Sequence, residues 1–127
     1  MSLRSVSRRI LNAETAASQI LVQGVAKSRI HVRSLKICTD LSTATAPNVA
    51  VGFAISAQTI STGNVSVDGY GIVADIMGMA PGAIYRDEGT ETLPLAVGGY
   101  AESLKFTCEA PTTGGITVVV QYESIER

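Results

Sequence analysis

The chain has 127 residues, enough for one domain that buries its own core without staples. Charged residues make up 17% of it, against roughly 25% in ordinary soluble domains, and the apolar content is Val, Ile, Ala and Leu with no Trp. One His and two Cys are too few for a zinc site or a disulfide framework, and the low charge favours an oligomer or packed assembly over a free monomer.

The net charge of −1 conceals a split. Residues 1–39 hold seven of the ten Lys and Arg and one acid, a net of about +6; residues 40–127 hold three bases and ten acids, a net of about −7. Such a chain can attract a like copy head to tail, and its front can attract any acidic surface.

Residues 1–12 are expected to be a basic arm ahead of a single domain over 13–127. Arg4, Arg8 and Arg9 supply its charge, and Leu3, Val6 and Ile10 between them supply apolar anchors that a purely solvated tail would not need. The segment has no apolar stretch or cleavage site of a secretory signal. One helical turn is expected over 12–17. An apolar strand follows over 18–23. Ile30 and Val32 then alternate with Arg29, His31 and Arg33, and the phase slips at Ser34 before Leu35 and Ile37 resume it, the mark of a β-bulge. In 49–55, Val49, Val51, Phe53 and Ile55 alternate with small residues, so that strand is expected to be covered on both faces. Further strands are expected over 65–77, 83–86 and 92–97, the last at an edge because of Pro94. Leu104, Phe106 and Cys108 alternate with polar residues, and Ile116, Val118, Val120 and Tyr122 share one face of a final strand. The glycine turn over 111–115 joins these two as a hairpin. Cys38 and Cys108 sit among apolar strand residues and are expected to be buried core thiols, in a reducing or redox-indifferent setting.

About eight short strands make the fold all-β, and the number suits a jelly-roll-like antiparallel β-sandwich with an extended N-terminal arm. No apolar run approaches the roughly 20 residues of a membrane span, so no membrane partner is expected.

Catalysis needs a nucleophile, a base and an orienting group, and no such set is legible, so an enzyme is not expected. His31, flanked by Arg29 and Arg33, reads as a surface or interface residue on a basic strand face. Asp87, Glu88 and Glu91 form an acidic loop whose spacing matches no EF-hand; it reads as solvated or as a docking partner for a basic front. The glycines fit neither a P-loop nor a dinucleotide fingerprint. No cofactor and no metal is expected. Without aromatic residues beside Arg4, Arg8 and Arg9, nucleic acid is not the expected partner.

The series from residue 18 to 123 resembles small jelly-roll proteins of tailed-phage and related prophage or gene-transfer particles. The resemblance rests on Ile20-Leu21-Val22, the R-I-x-V-x-x-L run from Arg29 to Leu35, the small-residue strand over 49–55, GGYAESLKFTC over 98–108, and Val118-Val119-Val120-Gln121-Tyr122 after a glycine turn. It implies a virion structural protein, assembled in the bacterial cytoplasm, of capsid-decoration, head-fibre or fibre-base type. It implies no catalytic residues. The expected partners are other virion proteins, such as a major capsid or neck or fibre protein, and like copies in a trimer or higher symmetric ring. The alternative is a receptor- or carbohydrate-binding module of a tail fibre, with Tyr70, Tyr85 or Tyr100 as the sugar platform.

Overall fold

The computed structural model describes residues 3–11, 19–41, 49–53, 72–76, 78–90, 92–108 and 114–126. Within them lie nine strands: β1 (Arg4–Leu11), β2 (Gln19–Val22), β3 (Ser28–Thr39), β4 (Val49–Gly52), β5 (Ile72–Ile76), β6 (Ile84–Glu88), β7 (Ala96–Val97), β8 (Leu104–Cys108) and β9 (Gly115–Glu126). They form two antiparallel sheets. The first has the order β1-β9-β3-β6, with β7 also on β3; the second has the order β2-β8-β4-β5. The pairs nest: β1 with β9, β2 with β8, β3 with β6, β4 with β5.

Both sheets turn their apolar faces to one core, which makes the fold a β-sandwich. Val32, Leu35, Ile37, Ile116, Val118 and Val120 come from the first sheet, and Val49, Val51, Leu104 and Phe106 from the second; all are at most 2% exposed. Burying each such side chain contributes about 1.5–3 kcal/mol before chain entropy is counted. The period of two is visible in β9, where Ile116, Val118 and Val120 are buried and Val119 and Gln121 face away.

The bulge anticipated in β3 is present. Val32 pairs with Tyr122 and Ser34 with Gln121, so Arg33 is the extra residue. It shifts the phase, so Ile30 and Val32 before it and Leu35 and Ile37 after it all reach the core. All four residues of β4 are buried, Ala50 included, as its small-residue face implied. The strands expected over 18–23 and 83–86 appear as β2 and β6. Only the two-residue β7 forms within 92–97, paired to β3 alone. The helical turn over 12–17 and the strand before Ile72 lie outside the described residues.

Three expectations need correction. Within the segment expected as an arm, Arg4–Leu11 is an edge strand of the first sheet, in continuous register with β9 from Arg4–Tyr122 to Leu11–Gly115. Val6, flanked by Ser5 and Ser7, packs against the core. The hairpin over 104–123 does not form either, because β8 lies in the second sheet and β9 in the first. Both strands bury one face in the same core, but from opposite sides. Finally, Cys38 is a half-buried free thiol on the outer face, because the bulge assigns Leu35 and Ile37 to the inside.

Candidate partner-binding surface

The outer face of the first sheet is built row by row from its register. Arg9 lies beside Thr117, and Thr117 beside Cys38. In the next row stand Ser7, Val119, Lys36 and Arg86, and then Ser5, Gln121, Ser34 and Glu88. Beyond the bulge, His31 is opposite both Glu123 and Val97, and Arg29 is opposite Ile125. Three shallow concavities run along this face. One of about 480 Å³ is lined by Ser34, Lys36, Arg86, Glu88, Val119 and Gln121. A second reaches Leu3, Arg33 and Glu123, and a third lies between Arg29, His31, Val97 and Tyr100.

The basic residues divide into paired and unpaired groups. Arg33, turned by the bulge, donates through Nε to Glu123 Oε1 at 2.6 Å, with both side chains largely shielded. Arg9 forms a forked ion pair with Asp40, one arm at 3.0 Å, and also donates to Thr117 Oγ1 at 3.2 Å. That guanidinium holds the Asp40 carboxyl below the usual carboxylate range, chiefly by hydrogen bonding. Arg29 stacks over Tyr100, its guanidinium carbon 4.3 Å from the ring centroid. Tyr100 is presented by a corner in which Gly24 N donates to Ser103 Oγ at 2.8 Å and Ala101 N to the Ser28 carbonyl at 2.9 Å. Gly24 is required there, since a Cβ would lie 2.2 Å from the Ala101 carbonyl oxygen.

Arg4 and Arg8 are different. They share the inner side of β1 with Val6, opposite Tyr122 and Val118, yet at the sheet edge they remain exposed. Neither forms an ion pair with a described residue. Ile10 pairs with Ile116 in the register. Leu3, just ahead of the strand, is 55% exposed.

Asp87 and Glu88 do not lie in a loop. Asp87 and Glu88 end the strand β6, on opposite faces, and Glu91 lies outside the described residues. Asp87 accepts from the Glu88 backbone N–H at 2.9 Å and from the Tyr85 hydroxyl at 3.5 Å. Partial burial, then the Asp87 charge, raise the Tyr85 phenol above its ordinary value. Tyr85 packs against the core, so it offers no open sugar platform; Tyr100 keeps one, partly taken by Arg29, and Tyr70 lies outside the described residues.

The structure therefore brings Arg29, His31 and Arg33 to one region of the outer face, and sets Arg4 and Arg8 apart at the β1 edge. Asp40 and Glu123, the partners of Arg9 and Arg33, were not legible from the sequence, because only the strand register brings them within reach. No group of three His, Cys, Asp or Glu placed to hold a metal occurs among the described residues. Searches against protein-family models and curated proteins found no match to this chain.

Proposed function

We propose that this protein is a non-enzymatic structural component of a phage-like particle, of the capsid-decoration, head-fibre or fibre-base kind, whose sandwich is a jelly roll. The observation that carries the reading is the nested pairing. A jelly roll is two Greek keys wound as one folded ribbon, so its first strand pairs with its last, its second with its next to last, and so inward. Pairing β1 with β9, β2 with β8, β3 with β6 and β4 with β5 supports that winding, and the two sheet orders agree with it. Jelly rolls are frequent in capsid proteins. The low charge and the exposed basic edge agree with a protein that works packed against neighbours.

In this reading the β1 edge docks on an acidic neighbour in the particle through Arg4 and Arg8, and like copies associate. Arg9 contributes less to docking in this reading, because Asp40 engages its guanidinium within the chain. The test has two parts. Particles purified from producing cells should contain the chain in fixed ratio to the major coat protein; its absence by mass spectrometry overturns the reading. An Arg4→Glu/Arg8→Glu variant should keep the wild-type melting temperature and be lost from particles. Normal incorporation of that variant overturns docking through β1.

A further inference from the structure

Both long edges of the first sheet are open among the described residues: β1 pairs only with β9, and β6 only with β3. They carry opposite chemistry. The β1 edge presents Arg4 and Arg8; the β6 edge ends in Asp87 and Glu88. We propose that copies of this chain join head to tail, with the β1 edge of one copy pairing antiparallel to the β6 edge of the next. The first sheet then continues from subunit to subunit. This inference rests on the docking role given to β1 above, and it identifies the acidic neighbour as a second copy.

Strand direction supports this arrangement. Each strand in the order β1-β9-β3-β6 is antiparallel to its neighbour, so β1 and β6 of one copy run in opposite directions. A second copy in the same orientation therefore presents its β1 antiparallel to the first copy's β6, with inner face continuing inner face. Charge then selects the register. Placing Arg4 opposite Asp87 puts Val6 opposite Tyr85 on the inner side and Ser5 opposite Arg86 on the outer side. Shifting by four residues, so that Arg8 meets Asp87, would set Arg9 against Arg86, a like-charge pair that costs stability.

The competing use of the same edge is disfavoured. Two β1 edges meeting about a twofold axis at Val6 would bring Arg4 of each copy opposite Arg8 of the other. Inward-pointing charges of this kind are a known way of keeping edges from pairing with themselves. Here they block the symmetric contact and leave the acidic edge as the complementary partner. The resulting interface is heterologous, so it closes into a ring or extends as a filament according to the rotation between copies.

The experiment is a charge exchange read by sedimentation over a concentration series. Wild type should form multimers that weaken as salt rises. Arg4→Asp and Asp87→Arg should each reduce the mass to that of the monomer. The double variant Arg4→Asp/Asp87→Arg should recover multimers, because every interface again holds one charge of each sign. Wild type that is monomeric at every concentration, or single variants that still form wild-type multimers, overturns the proposal. So does failure of the exchange to restore association in a folded double variant.

Asp87 also holds local hydrogen bonds, so a second measurement avoids it. Ser5 and Arg86 sit on opposite edges of the sheet, three strand spacings or roughly 14 Å apart, too far for a disulfide within one chain. In a Cys38→Ser/Cys108→Ser background, which removes the two native thiols, Ser5→Cys/Arg86→Cys should on oxidation give a ladder of linked multimers in non-reducing gels, and each single cysteine variant no more than dimers. No ladder from the double variant overturns the proposal. A chain present in particles yet monomeric in solution sinks this inference and the association of like copies, and leaves the particle assignment standing. A chain absent from particles whose charge exchange restores multimers sinks only the particle assignment.

Discussion

Arg9 and Asp40 are separated by 31 residues, and their side chains meet where β1 and the end of β3 flank β9. Both are partly exposed, so the contact's worth depends on solvent and salt. Its pH dependence has a definite sign. The Asp40 carboxyl is lowered in the folded chain, so its contribution is present above the ordinary Asp value, about pH 4, and is lost as pH falls through the folded value. Comparing wild type with Asp40→Asn in denaturant titrations should show a constant stability gap near neutrality that narrows below about pH 4. A gap that widens in acid would contradict the pair's role. Gly24 makes a steric prediction. Gly24→Ala forces a Cβ into the Ala101 backbone and should cost on the order of 1–3 kcal/mol, with Tyr100 fluorescence changing as its corner moves. At this scale the sequence was legible where the information was local. The slip at Ser34 disclosed the bulge that turns Arg33. It could not disclose Glu123 as the acceptor, which depends on a register set 90 residues away.

For single elements, the instructive case is β1. Its arginines read as an arm because a run rich in exposed charge looks solvated, yet Val6 and the serines between supply the alternation of an edge strand. A free arm can be cut away at no cost to the fold. An edge strand cannot, because removing it uncovers Val120 and opens the β1-facing edge of β9 along eight residue pairs. Deleting residues 1–11 should therefore lower the melting temperature by at least about 5 °C, corresponding to about 2 kcal/mol or more in a domain of this size. An unchanged melting temperature would restore the arm. The pair β8 and β9 teaches the opposite lesson. Each strand was legible from its own alternation, and a short glycine turn between them suggested a hairpin. Alternation says which face is buried but not which sheet supplies it. Two consecutive strands can meet the same core from opposite sides, and here they do.

Over the whole molecule, the charge split is folded onto itself. The basic strands β1 and β3 lie on either side of the acid-bearing β9, and both ion pairs among the described residues join a base from the first 39 positions to an acid from position 40 onward. The polarity that suggested attraction between copies is thus partly spent within one copy, and Arg4 and Arg8 are left over. The all-β class was legible because eight alternating runs leave little room for helices, whereas the pairing order was not, since every partner of β1 and β2 lies in the last quarter of the chain. That order governs the time course of folding. Arg9 and Thr117 are 108 residues apart, so the outermost pair cannot form until nearly the whole chain has left the ribosome. Contacts of such long range carry a large loop-closure cost, and refolding in a stopped-flow experiment should take milliseconds to seconds rather than microseconds. During synthesis the first strand waits for the last with its backbone unpaired and its arginines uncovered. The emerging chain is most open to miscapture by acidic surfaces in that interval, and the arrival of β9 ends it.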